Sequence, residues 1–416
     1  LTEKIYPILK RKPQKSNYLS SDLRFFKYQA QTTPHPLALE VSHAKGSYIY
    51  DSNGKGHLDF VAGVSACSVG HTHPKLVQAI QEQTAKYMHV MVYGEYAQKP
   101  AIDYTKSLAA LLPEGLDCTY LVNSGTEAIE GAMKLARRAT GRHEIIAAHH
   151  AYHGNTMGSL SVMGYEDRKA AFRPLVPGVR FIHFNAFIEL SQITEKTAAV
   201  LLETIQGGAG FICPNNGYLK AVKERCEAVG ALLILDEIQP GFGRTGALFA
   251  FEHYQCVPHI LVVGKGMAGG LPVGAFIASK PLMDLLQEKP SLGHITTFGG
   301  NPVIASACKA TLEIIQEENL MAQTLEKEAF LRRKLQHPDI KEIRGKGLML
   351  ALILASPEKA NELVLEASKN GLILFWLLFE KKAVRISPPL TISMDELEKG
   401  CDLILKILDK NTRTLN

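Results

Sequence analysis

Two ionisable residues stand at the ends of apolar runs, where chemistry could be done. Leu232-Leu233-Ile234-Leu235 leads into Asp236, and Leu261-Val262-Val263-Gly264 leads into Lys265. Both runs are short and bounded by turn residues, the pattern of strands buried on both faces of a parallel sheet. Ligands in open α/β sheets bind beyond the carboxyl ends of the strands, so this carboxylate and this amine would face one crevice. A lysine free to form a Schiff base and an acid able to pair with a protonated pyridine nitrogen are what pyridoxal phosphate (PLP) chemistry asks of a protein. Taken singly, either residue reads as a strand-end charge in water. The pair carries the argument.

Other stretches of the same kind precede it. Cys118 to Val122 reads as a strand, followed by the turn Asn123-Ser124-Gly125-Thr126-Glu127 and a helix with apolar residues at 128, 129, 132, 133, 135 and 136. Free backbone N–H groups and the helix dipole converge at such a turn and favour an anion, although Ser and Thr are equally good plain caps. Ile145 to Ala148 reads as a strand leading to Tyr152-His153, an aromatic pair able to stack on a flat ring. Ala198 to Leu202 ends in Glu203, and a helix is expected over Gly217 to Val229. Strands alternating with helices imply a mostly parallel sheet.

Composition bounds the rest. The chain has 416 residues, 46% hydrophobic and 21% charged, with a net charge of +5, room for two or three domains of a soluble protein. No Lys/Arg block argues for nucleic acid or a membrane surface, and the longest apolar run, Leu372 to Phe379, is far short of a spanning helix. Seven scattered cysteines without a C-x-x-C pair fit reduced thiols. The polar, basic stretch 1–15 has no signal-peptide core, so a cytoplasmic location is expected. An irregular arm is expected to Leu39, then a hairpin around Asp51-Ser52-Asn53-Gly54 and a helix from Pro74 to about Tyr87. His71 and His73 lack a third ligand at metal spacing and read as turn histidines. Gly241 to Gly246 matches G-x-G-x-x-G but opens no helix, and no P-loop is present, which disfavours dinucleotide and P-loop chemistry. From Thr311 onward, charged amphipathic helices (311–336, 357–370, 395–410) alternate with strands, one opened by 345–349 and one at Ala383 to Ile386. The expected domains are 1–60 (arm and part of a small domain), 61–310 (large domain) and 311–416 (small α+β domain).

The ordered set Asn123-Ser124-Gly125-Thr126-Glu127-Ala128, Tyr152-His153-Gly154, Asp236-Glu237-Ile238-Gln239, Gly243-Arg244-Thr245-Gly246, Gly264-Lys265, Thr296 to Pro302 and Arg385 to Leu390 resembles the class III PLP-dependent aminotransferases. The resemblance covers about residues 35–410. It implies an α/β fold of type I, a large mostly parallel seven-stranded sheet domain plus a smaller α+β domain, in a homodimer with shared active sites. Lys265 would be the Schiff-base lysine and proton shuttle, and Asp236 the partner of the ring nitrogen. Gly125 and Thr126 would hold the phosphate, with Thr297 added from the partner subunit. Tyr152 would stack on the ring beside His153, Gln239 would reach the cofactor's phenolic oxygen, and Glu203 would lie close by. Arg385 would clamp the substrate carboxylate, where a planar bidentate fork suits the geometry. The implied activity is ping-pong transfer of an amino group from an amino acid or amine to a 2-oxo acid.

Two departures bear on the donor. Ornithine, acetylornithine and 4-aminobutyrate branches of the family carry a glutamate where this chain has Gly208, and an arginine where it has Asn155. Arg138 or Arg142 is a candidate to replace that arginine. Thr204 and Pro240 depart from the pattern as well. An α-amino acid or simple amine is therefore the expected donor. An ω-transaminase of the ornithine type, or an aminomutase or racemase on the same scaffold, is the alternative.

Overall fold

The structure, a computed structural model, describes residues 23–413. Most of the expected arm, including 1–15, lies outside the described residues; its remainder contains one short helix, Leu23–Tyr28.

The strands in chain order are β1 (Val41–Lys45), β2 (Tyr48–Asp51), β3 (Gly56–Asp59), β4 (Cys118–Val122), β5 (Glu144–Ala148), β6 (Val179–Ile182), β7 (Thr197–Glu203), β8 (Leu232–Asp236), β9 (Ile260–Gly264), β10 (Gly274–Ala278), β11 (Ile340–Lys346), β12 (Met349–Leu354), β13 (Leu372–Ile373), β14 (Phe375–Trp376) and β15 (Ala383–Ile386). They form three sheets. The central one has seven strands in the order β4-β10-β9-β8-β7-β5-β6, parallel except for β10, which runs antiparallel to both neighbours. Its middle strands read as continuous apolar runs because both faces are covered. Leu233, Ile234 and Leu235 are fully buried, each worth about 1.5–3 kcal/mol of apolar burial. The helix Gly125–Thr140 lies on this sheet so closely that a Cβ at Gly131 would sit 2.3 Å from the Phe276 ring on β10.

Parallel strands deliver their carboxyl ends to one edge. Glu203 and Asp236 are register partners across β7 and β8, β9 hands directly to Lys265, and β4 to the Ser124 turn.

The two smaller sheets hold the rest. Leu372–Ile373 pairs in parallel with β3, so residues from both ends of the chain share the sheet β1-β2-β3-β13. The antiparallel sheet β11-β12-β15-β14 carries Arg385, paired with Ala351 on one side and Phe375 on the other. Two expectations need correction here. The helical region set at 311–336 begins earlier, at Pro302, and is broken at Asn319, whose φ of 51° ends one helix (Pro302–Glu317) before the next (Leu320–Lys334). Residues 345–349, expected only to open one strand, lead into β12 at Met349 but also end β11 at Lys346, with Gly345 and Gly347 at positive φ in the tight hairpin that joins the two. His71 and His73 each bind a different carboxylate, Asp59 at 2.8 Å and Glu318 at 2.9 Å.

Candidate active site

A cavity of about 640 Å³ opens at the carboxyl edge of the central sheet. Gly125, Thr126, Tyr152, His153, Glu203, Asp236, Gln239, Lys265 and Arg385 all line it. These residues span 260 positions of sequence, and the parallel topology brings them together. Thr297 does not line this cavity and is exposed.

Asp236 is held from two sides. Its Oδ1 accepts the Ile238 N–H at 2.9 Å and its Oδ2 accepts His153 Nδ1 at 2.8 Å. Both side chains are buried, so this charge-assisted bond is worth about 1.5–3 kcal/mol. His153 Nε2 is left buried with no partner among the described residues. Glu203 accepts the N–H groups of Tyr152 (3.1 Å) and Gly207 (2.9 Å). Burial, reinforced by the nearby Asp236 charge, pushes its carboxyl up to about 7.

Lys265 follows β9 with a φ of 43°, an uncommon angle for a residue with a side chain. Burial pulls its amine down to about 8, and the Arg385 charge pulls the same way; Asp236 and Glu203 only partly offset this. Arg385 stands over the Phe211 ring at 5.3 Å. Among the described residues it has no carboxylate partner, and its Nε and Nη1 are buried and unsatisfied.

One end of the cavity is a helix N-terminus. Ser124 caps it, accepting the Glu127 N–H at 3.3 Å through its side chain and that of Ala128 through its carbonyl, a cap worth about 1 kcal/mol. The Gly125 and Thr126 N–H groups have no carbonyl one turn back to bond within the helix. A side chain at Gly154 would meet Thr126 Oγ1 at 2.4 Å, and one at Gly125 would meet Ile238 at 2.8 Å. Glycine at both positions keeps this end open to backbone approach. An anionic, flat-ringed cofactor fits this set of donors, as do the buried and unsatisfied Gln239 Nε2 and Arg385 nitrogens.

Sequence reasoning missed the distal wall. Phe375, Trp376 and Leu378 line the cavity; they belong to the apolar run 372–379, whose length was the only signal used. Gly208 is also in the wall, with Phe379 packed behind it: a Cβ at 208 would lie 2.8 Å from the ring. Val64 and Ala66 form another part of the wall. Ala62, Gly63, Val64 and Ser65 all have positive φ (51°, 59°, 61° and 68°), a left-handed turn costing roughly 1–2 kcal/mol per non-glycine residue. Arg138 and Arg142 lie elsewhere. The first donates to the Glu288 and Lys289 carbonyls and the second to those of Thr197 and Val229.

A buried acid, a depressed lysine and an arginine without a carboxylate partner among the described residues surround one cavity. Comparison supplies the class. The sequence profile of the family described as aminotransferase class-III matches residues 28–408, and this chain belongs to that family of PLP-dependent transaminases. The chain is 38% identical to an acetylornithine aminotransferase of Methanosarcina mazei, covering 91% of this chain and 93% of that one. It is 36% identical to an acetylornithine aminotransferase of Archaeoglobus fulgidus, covering 88% and 94%. Its fold superimposes on an ornithine aminotransferase of Toxoplasma gondii, solved with partial PLP occupancy in its active site, with a TM-score of 0.86 and 31% identity over 95% of each chain.

Proposed function

We propose that the protein transfers the amino group of an α-amino acid or simple amine to a 2-oxo acid, holding the substrate carboxylate on Arg385. The observation that carries this reading is the unpaired Arg385 in the same cavity as Lys265 and Asp236. When bound, PLP supplies an electrophilic carbonyl and a protonated ring that accepts an electron pair.

The chain's own residues do the rest. Lys265, with its amine drawn down to about 8, is neutral in a useful fraction near pH 7–8. Its amine would hold the cofactor and, when free, would take and return the proton at the substrate Cα. Asp236, fixed by His153 and the Ile238 N–H, would keep a proton on the ring nitrogen. Gly125 and Thr126 would hold the phosphate, Tyr152 would cover the ring and Gln239 would reach the phenolic oxygen, with Glu203 beside them in the same cavity. Arg385 orients donor and acceptor alike, so the two half-reactions share one site in a ping-pong sequence. Thr297 completes the phosphate site from the second subunit of a homodimer, and the enzyme works in the cytoplasm.

The relatives' names favour a second reading, an ω-amino donor such as acetylornithine or ornithine. Gly208, Asn155 and the apolar wall of Phe375, Trp376 and Leu378 oppose it. A donor's far carboxylate would lack a charge-assisted partner worth about 1.5–3 kcal/mol, or roughly 10–100-fold in affinity. First half-reaction kcat/KM for alanine, glutamate, ornithine, acetylornithine and 4-aminobutyrate separates the two. An ω-amino donor leading the series by about tenfold, about 1.4 kcal/mol of transition-state discrimination, would establish the second reading.

A further inference from the structure

We propose that the left-handed turn after β3 is a strut that sets the position of Lys265 relative to Arg385. The inference rests on the roles proposed above for those two residues.

The strut is tied at its base, to the lysine and to the arginine strand. At its base, buried Asp59 accepts the Val61 and Ala62 N–H groups through Oδ1 at 2.8 and 2.9 Å, while Oδ2 takes His71 Nε2 at 2.8 Å. These bonds hold the entry to the turn in its costly conformation. On the lysine side, buried Ser68 donates its hydroxyl to the carbonyl of Gly266, the residue after Lys265, at 2.7 Å. A Cβ at Gly266 would meet Ser68 Oγ at 3.1 Å and the Ser65 carbonyl at 3.3 Å, so turn and lysine loop are in direct contact. On the arginine side, Ser387 donates its backbone N–H to the Phe60 carbonyl at 2.8 Å and its hydroxyl to the Val61 carbonyl at 3.1 Å. The Ser68 carbonyl accepts the Leu390 N–H at 2.8 Å. Lys265 and Arg385 come from different sheets, and the residues flanking this turn (Phe60, Val61 and Ser68) are hydrogen-bonded to backbone near each. Ser68 and Ser387 are positioning residues, touching the reacting groups only through the main chain.

Their roles separate experimentally. The full-length chain, freed of cofactor, is assayed for the rate at which Lys265 captures PLP, followed by absorbance and borohydride reduction, and for its affinity for pyridoxamine phosphate, which forms no bond to lysine. KM for pyruvate and for 2-oxoglutarate is measured on the reloaded enzyme. Ser68→Ala should slow capture about tenfold, with pyridoxamine phosphate affinity and acceptor KM within about twofold of the unaltered chain. Ser387→Ala should do the opposite, raising acceptor KM about tenfold and leaving capture within about twofold. Ser68→Cys and Ser387→Cys keep the size but offer only a weak donor; they should show the same division and serve if the alanine variants do not fold. Equal losses in both parameters in either variant, or no loss in either, would overturn the strut. A wild-type chain that captures no PLP at Lys265 would overturn this inference and the proposed function together, and is recognised before any variant is compared.

Discussion

Gly208→Ala tests the wall that distinguishes this site. Gly208 does not have a positive φ, so its backbone tolerates a side chain and only space is at issue. The new Cβ would stand 2.8 Å from two carbons of the Phe379 ring, where ordinary contact begins at 3.4 Å. The ring must give way by about 0.6 Å, in the range where overpacking costs about 1–3 kcal/mol. It cannot do so freely. The Phe379 backbone N–H donates to the Gly208 carbonyl at 2.9 Å, the ring stacks on Tyr165 at 4.6 Å, and the Arg168 guanidinium lies 5.7 Å away. Urea titration of the cofactor-free chain should therefore show Gly208→Ala destabilised by about 1–3 kcal/mol. The same change in a Phe379→Ala background should cost almost nothing, leaving a coupling of at least about 1 kcal/mol in the double-mutant cycle. The paired variant Gly208→Glu with Phe379→Ala should then place a carboxylate near Arg385 and raise acceptor KM about 10–100-fold. An additive cycle, with Gly208→Ala costing under about 0.5 kcal/mol, would mean that Phe379 does not fill this position.

Three further outcomes are expected. Lys265→Ala should retain PLP through the phosphate cup and Asp236 yet show no borohydride-reducible bond and no turnover, checked by mass spectrometry after reduction. Asp236→Asn, which removes the charge from the bond to His153, should slow substrate Cα deprotonation in single-turnover experiments much more than it weakens PLP retention; equal effects on both would refute the assignment. Capture of PLP by the cofactor-free chain needs the neutral amine. Because burial and Arg385 lower the Lys265 pKa to about 8, the capture rate should rise about tenfold per pH unit below that value and level off above it; a rise continuing toward pH 10 would show an unperturbed lysine.

Much of the site was legible because its residues lie at the ends of strands. A run such as Leu261 to Gly264 must be buried, its end must reach a sheet edge, and parallel order sends those ends to one side. Asp236, Lys265, Glu203 and the Ser124 turn therefore announced themselves by position, and the period of the flanking apolar residues located the helix that follows Ser124. Arg385 was legible only through the resemblance, since no local pattern separates an arginine lining a cavity from one in solvent. Sequence likewise showed that Gly208 and Asn155 lack charge. Only the tertiary structure decided what stands there instead, because Phe379 reaches Gly208 from a small-sheet segment 171 positions away. The strained turn at 62–65 was invisible for the same reason. Left-handed angles at Ala62, Val64 and Ser65 oppose the local preference of those residues; Asp59 holds the entry to the turn, and Ser387 and the Lys265 loop bond to the residues that flank it. Local pattern determines which segments are buried and where they end; contacts between distant segments determine the walls of the cavity and the spacing of its charges.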